Sequence, residues 1–192
     1  MPLHLISDTV VDGYPTVTLA CPDAQMDTTF APTLGMIGCS LRHRGAQLLG
    51  QRGGLTKYAA SGSTMGIPLL HPWANRLSDP VYTAGGVRVT LDPHAARLHR
   101  DSNGLPMHGL LAAYPHWRVA TRAADATGAH LSAGLDFGAD SELLASFPFP
   151  HTLGLDVALR GATLTIGATL RPTADAAVPV EVTRAIARNN RL

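Results

Sequence analysis

The residues best equipped for chemistry stand in two short stretches. The first reads Gly66-Ile67-Pro68-Leu69-Leu70-His71-Pro72-Trp73-Ala74-Asn75-Arg76. Two prolines fix two φ angles and remove two N–H donors. They also push Ile67 and His71, the residues before them, toward extended backbone. The segment is therefore stiff and not helical, and it delivers Asn75 and Arg76 side by side at its end. An amide next to a planar, permanently charged fork suits a polyhydroxylated ligand. Trp73 adds an indole face of the kind that stacks on a sugar ring. The second stretch reads Asn103-Gly104-Leu105-Pro106-Met107-His108-Gly109-Leu110, with Trp117 following. His108 is a lone imidazole between apolar neighbours, a side chain of the type used for proton transfer.

Each of these has a plainer reading. The first stretch is also what a proline-rich turn with a surface Asn-Arg pair looks like. Trp73 fits a core as well as a ligand, and His71 reads as packing. His108 on its own reads as a structural histidine. His94 and His99, five apart, have the wrong offset for one helical face or a common zinc pair, and no metal site is expected. Asp136, Asp140 and Glu142 cluster between strands; paired carboxylates are a glycosidase's tools, but Gly138 and Ser141 make this cluster a turn. There is no nucleophile elbow and no phosphate loop.

The elements that must position these residues read as strands. Thr16 to Cys21 and Ala24 to Phe30 are extended runs stopped by Pro22-Asp23 and Ala31-Pro32. Gly35 to Leu41 is small and apolar, Arg42-His43-Arg44-Gly45 is a polar turn, and Ala46 to Leu49 is a third short run. Val81 to Ala84 and Val87 to Leu91 flank Gly85-Gly86 as a hairpin. Trp117 to Thr121 and Ala129 to Phe137 alternate. Leu153 to Leu159 and Leu164 to Leu170, around Arg160-Gly161-Ala162-Thr163, form the clearest hairpin. No helix of ordinary length is expected before the tail. The sum is an all-β, antiparallel architecture.

Composition agrees. In 192 residues, 45% are hydrophobic and 15% charged, enough for a core in one domain or a large part of one. Lys+Arg 15 against Asp+Glu 14 argues against nucleic acid or an anionic membrane as partner. Gly 19 and Pro 14 supply many turns. Cys21 and Cys39 make neither a disulfide framework nor a metal box and read as buried thiols. No signal peptide and no membrane span is read, so a cytoplasmic location is expected.

Taken together, the two stretches resemble the aldose 1-epimerase (galactose mutarotase) family. That family carries a "G-x-P-L-L-x-P-x-x-N-R" segment, then an "H-G" segment with a Trp a few positions on. Gly45-Ala46 and Ser146-Phe147-Pro148-Phe149-Pro150 fit two further signals of the family. The resemblance implies a galactose mutarotase-like β-sandwich, with residues 1–180 forming a partial sandwich that is incomplete at its C-terminal end. It also implies an isomerase that interconverts the α and β anomers of free hexoses such as galactose or glucose, by acid/base ring opening and with no cofactor. By the same resemblance His108 supports catalysis, while Arg76, with Asn75 beside it, hydrogen-bonds sugar oxygens.

Past Pro179-Val180 the resemblance stops. The family continues into a stretch carrying "H-P-Y-F", whose His is its principal acid, and a later Glu is its base. Residues 181–192 instead read as a divergent basic tail lying in solvent. The expectation is a shortened or frame-altered copy of a longer enzyme, with impaired turnover. Two other readings stay open. One is a non-catalytic carbohydrate-binding or interaction protein on the same sandwich, which could self-associate through exposed strand edges. The other is a sugar-phosphate epimerase, which would need extra cations such as Arg42, Arg44 and Arg52 near the pocket.

Overall fold

Short alternating runs joined by tight turns build two antiparallel sheets, and the sheets face each other. A computed structural model describes residues 3–179 and the strand Thr183–Arg184. The rest of the expected basic tail lies outside the described residues. The first sheet holds β1 (Leu5–Val11), β2 (Tyr14–Cys21), β3 (Met26–Ala31), β4 (Ile37–His43) and β5 (Ala46–Gln47), in that spatial order. Val17, Leu19, Cys21 and Phe30 point inward, as the period of two requires.

Strand β1 is not legible from apolar alternation. It lies at the sheet edge, where Val10 is 69% exposed. Its seven-residue register against β2 holds it in place, from Leu5↔Ala20 to Val11↔Tyr14. The Thr9 hydroxyl adds contacts at 2.8 Å to Thr16 and 2.9 Å to Thr18. Arg42 and His43, read as part of a turn, are strand residues; the turn itself is Arg44-Gly45.

The sequence reading also passes over a helix, α1 (Gly54–Ser61), because eight residues are too few to show a period. Leu55 and Tyr58 bury against Ile37 and Cys39, covering the outer face of the first sheet. Across the chain, Asp12 Oδ2 accepts from the Leu55 amide at 2.7 Å, satisfying one of the helix's free N–H groups. Burial pushes the Cys39 thiol up to about 12, so it is an inert core group.

After α1 come β6 (Leu69–Leu70) and the hairpin β7 (Val81–Ala84) and β8 (Val87–Thr90). The second sheet follows: β9 (Arg118–Asp125), β10 (Gly128–Asp136), the short helix α2 (Ser141–Ser146), β11 (His151–Arg160) and β12 (Thr163–Pro172). Its spatial order is β12-β11-β10-β9. Ala129, Leu131, Ala133 and Leu135 of β10 join Leu153, Leu155, Val157 and Leu159 of β11 in one core with the inward residues of β2 and β3. Each such large side chain contributes roughly 1.5–3 kcal/mol of burial. A last strand, β13 (Thr183–Arg184), pairs with β6 through Thr183↔Leu70 and Arg184↔Leu69. Asp140 accepts from the amides of Glu142 and Leu143 and so caps α2, which is the turn role read for the Asp136–Glu142 cluster. No helix among the described residues is long and apolar enough to cross a membrane.

Candidate functional site

Both sequence stretches run through the seam beside β6, and the backbone stitches them together. Arg76 forms an antiparallel bridge with Met107, and Arg100 forms another with Pro106. The His108 amide donates to the Asn75 carbonyl at 2.6 Å, and the Leu77 amide to the Pro106 carbonyl at 2.8 Å. Three segments, around residues 75–77, 99–101 and 105–108, thus lie edge to edge. The Arg-bearing and His-bearing stretches, about thirty positions apart in sequence, become neighbours.

The motif glycines have a tertiary reason. Gly109 sits at φ +73, and a Cβ there would collide with the His71 carbonyl, which accepts from the Leu110 amide at 2.8 Å. Gly66 is pinned in the same way against the Gly38 carbonyl. His108 also has a positive φ, +65, uncommon for a residue with a Cβ. Two successive left-handed residues at His108-Gly109 turn the chain so that the His108 ring stays half-buried at the rim while Leu110 enters the core.

His108 Nδ1 lies 3.3 Å from the Ala74 carbonyl. A carbonyl only accepts, so Nδ1 carries the proton and Nε2 of the neutral ring is left as the acceptor. Asn75 and Arg76 are exposed. The Arg76 Nε donates to Asp101 Oδ2 at 3.0 Å, and the Asp101 carboxylate is only 8% exposed. The amides of Leu105 and Asn103, with Arg76, hold the Asp101 carboxyl below its ordinary range. Because Asp101 takes Nε, the two terminal guanidinium nitrogens have no protein partner among the described residues. Asp101 escaped the sequence reading; its Asp-x-Asn-Gly turn was the available signal. His99, weighed in the sequence only as a metal ligand, stands here as well, and its pKa is lowered by burial first, then by His108 and Arg97. It is therefore a neutral ring close to His108.

Two expectations change. Trp73 offers no stacking face: it is 5% exposed and packs in the core, with its ring centroid 5.9 Å from that of Tyr82. The six-carbon half of the indole outweighs its single N–H when a core is at hand. Arg42, Arg44 and Arg52 lie in β4, in its turn and before α1, not in the bridged segments. His71 packs as expected. It is fully buried, with Nε2 at 2.9 Å from Nε2 of the equally buried His151 and with Phe137 and Phe147 around both. His151 Nδ1 donates to the Phe149 carbonyl at 2.6 Å, so its Nε2 accepts and His71 donates. No cluster of three metal-ligating side chains occurs among the described residues.

No protein-family model matches the sequence, and no curated protein does. Solved structures do match. A galactose mutarotase-like protein from Clostridium acetobutylicum superposes with a TM-score of 0.80 at 18% identity, over 97% of this chain and 54% of that one. A Synechocystis protein gives 0.67 at 20% identity, over 87% and 52%. A candidate mutarotase from Salmonella typhimurium gives 0.60 at 19%, over 87% and 47%. The chain has the galactose mutarotase-like fold and spans about half the length of these proteins.

Proposed function

We propose that this half of a mutarotase-like fold carries part of an aldose 1-epimerase-type sugar site, in which Arg76 grips a free hexose and His108 moves a proton at its anomeric centre. The observation that supports it is the bridge between the Arg76 and His108 segments, which makes neighbours of a guanidinium whose terminal nitrogens have no partner among the described residues and a half-buried imidazole. A guanidinium fork donates to two sugar oxygens at once. Asn75, exposed beside it, supplies both a donor and an acceptor.

Anomer exchange opens the C1–O5 bond. One group takes the proton of the anomeric hydroxyl and another gives a proton to the ring oxygen; the aldehyde then rotates and the ring closes on its other face. With Nδ1 on the Ala74 carbonyl, His108 presents Nε2 to exchange that proton with an oxygen of the sugar. A second proton carrier is needed. Asp101 is engaged by Arg76 and two amides, and so is a poor base.

This engagement favours a second reading, a sugar-binding site with little turnover. Galactose and glucose titrations followed by NMR, alongside polarimetry of freshly dissolved α-galactose, separate the two. Binding is expected, with Arg76→Ala weakening it roughly ten-fold, the worth of one charged hydrogen bond, and with mutarotation near the buffer rate. A rate well above buffer that falls in His108→Ala would give this chain the whole reaction. Binding indifferent to Arg76→Ala, or none, would remove the sugar assignment.

A further inference from the structure

None of Asn75, Arg76 and His108 lines the open cleft of about 1350 Å³ on the outer face of the second sheet. Its floor is set by strand register. One rung across the sheet reads Arg118, Gly134, Gly154, Thr169; the next reads Asp136, Thr152, Arg171. With strands about 4.8 Å apart, Arg118 and Thr169 stand about 14 Å from each other across a bare Gly-Gly centre. Asp136 and Arg171 stand about 10 Å apart across one threonine by the same spacing. The hollow is thus a trough with side chains as walls and two glycines as its base.

The walls are charged but unengaged. Arg118, Asp136, Glu142, Asp156 and Arg171 all line the cleft, and none makes a side-chain hydrogen bond or ion pair among the described residues. At one end Tyr114 and Asp140 satisfy each other, the phenol donating at 2.6 Å, and Arg97 lies 4.5 Å over the Tyr114 ring. That end is a fixed wall. Trp117, 5% exposed, also lines the cleft, and its buried indole N–H has no partner among the described residues.

Three guanidinia (Arg97, Arg118, Arg171) and four carboxylates (Asp136, Asp140, Glu142, Asp156) line the trough, so an ion of either sign would meet like charges as well as opposite ones. An apolar ligand would desolvate five charges for nothing. What suits spaced donors and acceptors is a neutral molecule whose every hydroxyl both donates and accepts. The trough's width suits a pyranose with its equatorial hydroxyls, and its volume of about 1350 Å³ leaves room for a chain of them. We propose that the outer face of β9–β12 is a second carbohydrate site, one that takes a neutral oligosaccharide and is separate from the Arg76–His108 rim.

The floor gives a clean test. Among the described residues only Thr169 Cβ, at 3.8 Å, approaches a Cβ built on Gly154, and Gly154 does not have a positive φ. Gly154→Val therefore fits the strand and fills the trough. Maltohexaose and cellohexaose are titrated into the full 192-residue chain by calorimetry, against Gly154→Val, Asp156→Ala and Arg76→Ala. Expected are binding of at least one hexasaccharide to the parent chain, a ten-fold or greater loss in Gly154→Val and in Asp156→Ala, and no change in Arg76→Ala. Circular dichroism and a melting curve confirm that each variant is folded; if Gly154→Val is not, Asp156→Ala decides alone. Absence of binding by both sugars, or binding that survives in the folded trough variants, overturns the proposal. Loss in Arg76→Ala instead would assign the chain to the rim and overturn it equally.

Discussion

His71 and His108 hang from touching backbones and meet opposite fates. His71 bridges Gly109 in parallel and accepts from Leu110 at 2.8 Å, so one residue separates the two histidines' anchor points. Yet the His71 ring is fully buried between Phe137, Phe147 and His151, while His108 stands half-buried at the rim against the Ala74 carbonyl. Residue type does not distinguish them. The side of the seam does: extended backbone at His71 throws its side chain inward, and the left-handed φ of +65 at His108 throws its ring out. A buried imidazole with a partner is a structural group, whereas one at the rim with a free nitrogen can exchange a proton.

The comparison breaks most readily on stability. His71→Ala empties a packed site and strips His151 of its donor, at an expected cost of about 3 kcal/mol. His108→Ala, at the rim, should stay within about 0.5 kcal/mol. Urea unfolding midpoints of the two variants test this, and equal losses would show that both rings are structural.

The turn between them should cost less, but measurably. Gly109→Ala meets both a positive φ and the His71 carbonyl, and about 2 kcal/mol of destabilisation is expected. Gly104→Ala, with φ +78 but open space around it, should lose only about 1 kcal/mol. If the two lose the same, the close approach at Gly109 is not what fixes the turn.

The gentlest effect is with pH. Burial lowers the pKa of His151, outweighing the Phe149 carbonyl and Asp136, which raise it. His151 is then neutral when folded, and below about 6.5 the unfolded chain binds a proton that the folded chain does not. Stability should be flat above that pH and should decline as pH falls through it, by at most about 1.4 kcal/mol per unit from this ring. His99, lowered in the same direction, adds to the slope. Unfolding free energies at pH 5, 6 and 7 that do not differ would mean that His151 is charged in the core.

The strands that carry one apolar face were legible because burial writes itself as a period of two: β2, β3, β10, β11 and the Gly85-Gly86 hairpin. β1 was not, since an edge strand is held by backbone pairing and shows little apolar face. Nor was α1, where two turns give no period to read. At the site, Arg76, Asn75 and His108 could be picked out by type and spacing. Asp101 could not, because its role depends on which guanidinium nitrogen it meets, and that is set by a bridge between distant segments.

The amino-acid order alone determined an antiparallel β fold, a rigid proline segment ending in Asn75-Arg76, and a histidine ahead of a glycine. These follow from local sterics and from alternation, which act between near neighbours in the chain. Folding alone decided that Trp73 and His71 turn into the core, that Arg76 gives its Nε to Asp101, and that Gly134 and Gly154 meet to open a trough. Each of those depends on what a distant strand places opposite, and register across a sheet is a property of two segments at once.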